Sequence, residues 1–242
     1  MLKLPPVPDT TPPIPVDRDL RIIGDVHGDI RGFAAACATD RFLIQLGDLV
    51  DDGPDSAGVL SLMLDRIASG DGLFVLGNHD FKLARALRGD RVVRSPGLAA
   101  TLAQLDPALA ERTYRAIIAA PVWLISKNIV CVHGGFHPAM LLAPSPEFPL
   151  KQPEPLVARA LYGETTGRLT GGGRPERLLR WVETIPPHLT VYCGHDQRSS
   201  DGRPLTITNP DHGCAVFMDT GAGKGGHLSW VDLPALRHEI RS

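Results

Sequence analysis

The segment covering residues 20–80, LRIIGDVHGDIRGFAAACATDRFLIQLGDLVDDGPDSAGVLSLMLDRIASGDGLFVLGNHD, decides the fold. It holds three short apolar runs, LRIIG (20–24), RFLIQLG (41–47) and GLFVLG (72–77), each closed by a glycine. Runs of this length bounded by glycine read as buried strands. Between them lie IRGFAAACAT and PDSAGVLSLMLDRIAS, with apolar residues at helical spacing and Pro54 at a first-turn position. DFKLARALR opens a further helix. A β-α-β-α-β alternation predicts an α/β domain whose first half is parallel.

The residues just after each glycine carry the chemistry. Asp25 and His27 come after Gly24, Asp48 and Asp51 after Gly47, and Asn78, His79 and Asp80 after Gly77. Ligands collect at the carboxyl ends of strands in an open α/β sheet. Glycine there lets the chain turn sharply and keeps side chains clear of a ligand. Two later runs repeat the arrangement, with His133 after IVCV and His195 after VYCG. One such histidine would ordinarily be structural, but five strand ends presenting Asp, His and Asn point to a shared site. Two divalent cations about 3.5–4 Å apart need such a mixed set, with one group bridging them. Asp48 is the natural bridge, because its strand should lie between those carrying Asp25/His27 and Asn78. The donor types suit Mn²⁺, Fe or Zn²⁺ better than Mg²⁺.

Outside this core, residues 96–120 carry two helical patterns that could cap the site. VWLIS-KN-IVCV predicts a hairpin, LVARALYG a helix, and ERLLRWVE another helix. LTVYCG, PLTIT, CAVFMD and HLSWVDL predict four closing strands that build a second sheet. A chain of 242 residues suits one large domain, here 20–242, preceded by a proline-rich arm over 1–19. A net charge of −2 gives no general attraction to nucleic acid. No apolar run is long enough to cross a membrane. Cys37, Cys131, Cys193 and Cys214 form no C-x-x-C pair and read as small buried hydrophobes in strands, in keeping with a reducing cytoplasm.

In this order the motifs GDVHG, GDLVD, GNHD, HGG and GH resemble those of the calcineurin-like metallophosphoesterase superfamily, and within it the phosphoprotein phosphatase branch. GDLVDDGPDSAGVL, GNHDFKLARALRG, GLAATLAQL, ALYGETTGR and MDTGAGKGGHLSW resemble more closely the phosphatase domain of bacterial polynucleotide kinase-phosphatases. The kinase P-loop and any ligase or methyltransferase segment are absent, so the chain reads as a free-standing phosphatase unit. The resemblance implies a four-layer α/β sandwich, with two facing mixed β-sheets flanked by helices. It implies that Asp25, His27 and Asp48 hold one metal and Asp48, Asn78, His133 and His195 the second, with Mn²⁺ expected before Fe or Zn²⁺. His79 matches the family's general acid, Asp51 the carboxylate that orients it, and Asp219 an acidic residue near the metals.

One departure matters. The family has arginine after Asp51, where it contacts substrate phosphate; this chain has Asp52. A carboxylate repels a dianionic phosphate and cannot replace a guanidinium fork. Lys82, Arg85, Arg88 and Arg168 are the candidate substitutes, Arg85 and Asp52 being placed with Asp219 as substrate-side residues. His137, His188, His212, His227 and His238 read as loop or surface groups, and Tyr162 and Glu164 could line a cleft. The expected reaction is hydrolysis of a phosphoprotein, nucleotide or small phosphate ester by direct attack of a hydroxide shared between two metals. The rival readings are a symmetrical dinucleoside tetraphosphate hydrolase and a non-catalytic metal-binding scaffold.

Overall fold

Each of the three leading runs becomes a strand, and the helices after the first two return the chain to the same sheet. The computed structural model describes residues 14–15, 17–148, 153–173 and 175–236; most of the proline-rich arm and His238 lie outside these. β1 (Leu20–Ile23), β2 (Phe42–Gln45) and β3 (Gly72–Phe74) are parallel, joined by α1 (Ile30–Cys37) and α2 (Ser56–Ala68). β2 lies between β1 and β3, as the motif order predicted. Asp29 and Asp55 start the two helices, their carboxylates accepting from Gly32 N and Gly58 N at 3.0 and 2.7 Å. Pro54 therefore precedes the cap of α2 instead of sitting in its first turn.

α3 (Asn78–Arg88) begins at Asn78, earlier than its apolar pattern suggests. α4 (Pro96–Gln104) and α5 (Pro107–Ala119) come next, each with a capping side chain, Ser95 or Asp106, and a proline at its first position. They pack on α2 and α3. β4 (Trp123–Ser126) and β5 (Ile129–Val132) form the expected hairpin, with Lys127 at φ +50° in the turn. After α6 (Pro155–Tyr162) come β6 (Glu164–Leu169), β7 (Pro175–Leu178), β8 (Thr190–Cys193), β9 (Leu205–Thr208), β10 (Cys214–Phe217) and β11 (Trp230–Leu233).

Two mixed sheets face each other. One has the order β11-β1-β2-β3 and the other β4-β5-β8-β10-β9. Between them pack Leu20, Ile22, Ile44, Leu46 and Val75 from the first, and Ile129, Cys131, Val216 and Met218 from the strands of the second and their ends. The opposite faces, with Ile23 and Leu43 on one sheet and Val130, Val191 and Phe217 on the other, bury against helical residues such as Phe33, Leu60, Phe81, Val157 and Leu161. Period-two alternation along the strands delivers these two layers at once. The result is the expected helix–sheet–sheet–helix sandwich.

Three further expectations change. β11 does not join the second sheet but crosses back to pair antiparallel with β1, Arg21 opposite Asp232. There the Arg21 guanidinium forks onto Asp232 at 2.7 and 2.8 Å, donates to Ala36 O at 2.9 Å and lies over the Trp230 ring. An open β1 edge with a buried arginine needs such a partner. Second, ERLLRWVE is not a helix. Its first half is β7, paired with β6, and its second half a 3₁₀ turn, Arg180–Thr184, that buries Trp181 and Val182. Glu164 binds Arg159 and Arg180 at 3.1 and 3.0 Å across this corner, so tertiary contacts override the helical spacing. Third, Cys37 closes a helix instead of lying in a strand; all four cysteines are free thiols. Among the described residues no helix is long and apolar enough to cross a membrane.

Candidate metal centre

The strand ends converge on Asp48. It leaves β2 with φ +58°, and His27, Asp51, Asp52 and His195 share this left-handed backbone, with φ between +46° and +72°. Such conformations cost about 1–3 kcal/mol each in a non-glycine residue and persist only where the surroundings enforce them. Asp80 supplies much of that enforcement. At the third position of α3 it is fully buried and accepts from Asp48 N at 2.7 Å, Leu49 N at 3.1 Å and Gly77 N at 3.2 Å. It thereby ties the β2 exit to the start of the helix bearing Asn78 and His79. Burial, with Asp48 nearby, raises the Asp80 carboxyl to about 7.

Ligand-type atoms of Asp25, His27 and Asp48 lie within 4.8 Å of one another, and so do those of Asp48, His133 and His195. Asp48 belongs to both groups. Asn78 joins the second, its Oδ1 being 3.0 Å from His133 Nε2. His27 Nδ1 donates to Val50 O at 3.0 Å and His133 Nδ1 to Leu46 O at 2.8 Å, which turns each Nε2 toward the cluster. Asp25 accepts His195 N on both oxygens at 3.1 and 3.0 Å. A Cβ on Gly194 would fall 2.0 Å from Asp25 Oδ1, so only glycine lets this strand end approach.

The electrostatics fit cations at this place. Burial pushes the Asp25 carboxyl well above its usual range, and the neighbouring Asp219 adds to the rise. Asp48 is held well below its usual range although burial opposes ionisation, because His133, His79 and His27 surround it. His195 is half-buried, its basicity well lowered by desolvation, and its buried Nε2 has no hydrogen-bond partner. With Nδ1 donating to Leu46, His133 Nε2 faces two acceptors, Asn78 Oδ1 at 3.0 Å and Asp48 Oδ2 at 3.3 Å. Converging acceptors of this kind need a proton or a cation among them. The donor set therefore suits divalent metal ions.

The family of calcineurin-like phosphoesterases matches residues 20–199. The chain belongs to this family. It is a hydrolase of phosphoric esters, and the family's divalent metals accord with the His/Asp cluster. The chain is 28% identical to the asymmetrical bis(5′-nucleosyl)-tetraphosphatase PrpE of Bacillus velezensis, over 91% of its own length and 90% of the relative's. To a symmetrical bis(5′-nucleosyl)-tetraphosphatase of Nitrosospira multiformis it is 29% identical, over 88% and 75%. A protein serine/threonine phosphatase of Saccharomyces cerevisiae shares the fold, with TM-score 0.58 at 13% identity over 93% of this chain and 82% of that one.

Within this phosphoesterase, His79 and Asp51 stand beside the Asp/His cluster. His79 Nδ1 is 2.7 Å from Asp51 Oδ2, and its Nε2 is 3.9 Å from Asp48 Oδ2. Burial works against protonation of His79, but Asp48 and Asp51 outweigh it and raise its pKa. Asp51 is lowered, its burial outweighed by the His79 contact. Two residues that the motifs did not single out hold Asp51. Thr101 of α4 donates to its Oδ1 at 2.9 Å, and both Thr101 and Ser56 accept from its backbone N–H at 3.2 Å. Only the cap signal Ser95-Pro96, which starts α4, hints at this in the sequence.

Asp219 is buried and accepts from Gly221 N at 2.9 Å. Asp52 is exposed, its Oδ2 3.6 Å from His27 Nδ1 and 3.6 Å from Lys224 Nζ. Arg85 pairs with Asp90 at 3.3 Å and lies over Phe81. Arg88 also binds Asp90, and Lys82 is 3.2 Å from Asp51 Oδ2. Arg168 is exposed on β6. Tyr162 lies edge-on to the His195 ring, with centroids 6.3 Å apart, while Glu164 is occupied by its two arginines. His137, His188, His212 and His227 are exposed.

Proposed function

We propose that the chain is a binuclear metal-dependent phosphoesterase acting on nucleotides, with dinucleoside polyphosphates as its best substrates. The observation that carries the binuclear reading is the pair of ligand groups sharing Asp48. In this reading Asp25, His27 and Asp48 hold one divalent ion, Mn²⁺ first among the candidates, and Asp48, Asn78, His133 and His195 hold the other. When bound, such ions supply Lewis acidity, lowering the pKa of a water and offsetting charge on phosphoryl oxygens. The chain's own residues do the rest. Asp51 fixes the His79 ring through Nδ1 and sustains its protonation, so that Nε2–H can protonate the leaving oxygen. Thr101 and Ser56 keep Asp51 in place, which makes the 96–120 segment, through Thr101, a support for the site. Asp219 adds negative charge beside Asp25 and strengthens the cation preference.

The nucleotide assignment is supported by the tetraphosphatase relatives, which match over most of their own length. A panel with Mn²⁺ tests it: p-nitrophenyl phosphate, bis-p-nitrophenyl phosphate, a phosphopeptide, a 2′,3′-cyclic nucleotide and a dinucleoside tetraphosphate. The highest kcat/KM is expected on the last. Two nucleoside diphosphates as products identify symmetrical cleavage; a monophosphate and a triphosphate identify asymmetrical cleavage. A clear preference for the phosphopeptide overturns the nucleotide assignment.

A further inference from the structure

The cations expected to stand in for an arginine at position 52 are engaged or placed elsewhere, but Lys224 reaches into the site. It belongs to the loop that joins β10 to β11 beyond Asp219. Gly221, Gly223 and Gly225 in that loop have φ of +81°, +71° and +90°. A Cβ on Gly223 would lie 2.2 Å from His27 O, so the loop backbone packs directly on residue 27. This sends the Lys224 side chain across the His27 imidazole. Its Nζ donates to His27 Nε2 at 2.7 Å and lies 3.6 Å from Asp52 Oδ2. The side chain is 33% exposed.

An ammonium has three donors. One is used on His27, and Asp52 at 3.6 Å is an ion-pair neighbour beyond good hydrogen-bond distance. Donors thus remain on a side chain that is partly exposed. His27 Nε2 is also the atom that the candidate ligand set would use, so the ammonium and a divalent ion are alternative partners of one lone pair. A lysine on a flexible stem can give up that contact while Asp52 keeps its charge nearby. Asp52 in turn faces a cation and is not an uncompensated negative charge turned toward a phosphate.

We propose that Lys224 is the substrate-binding cation on the His27 side of the site, contacting phosphoryl oxygens where the chain lacks an arginine at position 52. The idea rests on the phosphoesterase reading above and adds a residue to it. Lysine suits this role as a point charge, without the bidentate geometry of arginine.

The test uses the full chain with Mn²⁺, with inorganic phosphate as the binding probe. Lys224→Gln and Lys224→Arg are compared with the unsubstituted protein for the Ki of phosphate, for KM and kcat on p-nitrophenyl phosphate, and for Mn²⁺ binding by calorimetry without substrate. Lys224→Gln should raise Ki about tenfold or more, the size of one charge-assisted hydrogen bond, with KM moving in step. Lys224→Arg should recover most of the loss, and Mn²⁺ should bind both variants at least as well as before. An unchanged Ki in Lys224→Gln, an arginine variant no better than glutamine, or a loss of Mn²⁺ affinity would each overturn the proposal. Failure of the phosphoesterase reading is distinguishable, because the unsubstituted protein would then not turn over ester, whether or not it binds Mn²⁺.

Discussion

Substituting the His79–Asp51 pair singly and together gives the most direct test of how the leaving group is protonated. The pair is 2.7 Å apart, and Asp51 is buried, with Thr101 on its second oxygen. Unit charges at that distance attract by about 6 kcal/mol at an effective dielectric of 20, which is a ceiling. Hydrogen bonds to charged groups contribute a net of about 1.5–3 kcal/mol, a factor of about 10–150 in rate if the contact is made fully in the transition state. Asp51→Asn should therefore lower kcat by about 10–100-fold on an alkyl phosphate. His79→Ala should lower it by about 10²–10⁴-fold. Since Asp51 acts through His79, the double variant should be no slower than His79→Ala alone. On p-nitrophenyl phosphate, whose leaving group departs without a proton, all three losses should shrink. Asp51→Asn should also move the alkaline limb of kcat to lower pH, because the carboxylate helps raise the His79 pKa. Steady-state kinetics on the two esters, with Mn²⁺ content checked in each variant, decide the matter. Equal losses on both esters, or additive losses in the double variant, would refute a proton donor oriented by Asp51.

Chelated protein should lose activity and regain it with Mn²⁺. Saturation at about a hundredfold over Kd should add about 2.7 kcal/mol per site, or about 5–10 °C in Tm, and full activity after stripping would sink the metal reading. Thr101→Val removes a buried hydroxyl bonded to Asp51 at almost constant volume. Calorimetry should show about 1.5–3 kcal/mol of destabilisation, about 4–10 °C, and a Tm within about 1 °C of the unsubstituted protein would count against it. His133 is raised to about 9, its burial outweighed by Asp48. A raised folded-state pKa contributes stability fully present below about pH 6.5 and lost as pH rises through about 9. The Tm of chelated protein should accordingly fall across that window, and His133→Gln should flatten the fall; an unaltered profile in the variant contradicts the His133–Asp48 coupling.

The sequence by itself determined the parts that depend on near neighbours along the chain. Apolar runs closed by glycine fixed β1, β2 and β3, and the same glycines fixed which residues stand at the strand ends. The candidate ligands Asp25, His27, Asp48, Asn78, His133 and His195 were legible as candidates because each lies within a few residues of a strand that carries it. The caps found at Ser95-Pro96 and Asp106-Pro107 are local in the same sense. Only the tertiary structure decided how distant pieces meet. Thr101 reaches Asp51 across 50 residues and Lys224 reaches His27 across 197. β11 returns to β1 across the whole chain, although its alternating pattern fits either sheet equally well. ERLLRWVE has helical spacing, yet pairing with β6 and burial of Trp181 outweigh a preference of tenths of a kcal/mol per residue. Periodicity and capping are encoded by steric and hydrogen-bonding rules that act within one or two turns of chain. Which edge a strand joins, and which lysine enters a site, is set by the summed burial of surfaces that touch only once the sheets have closed.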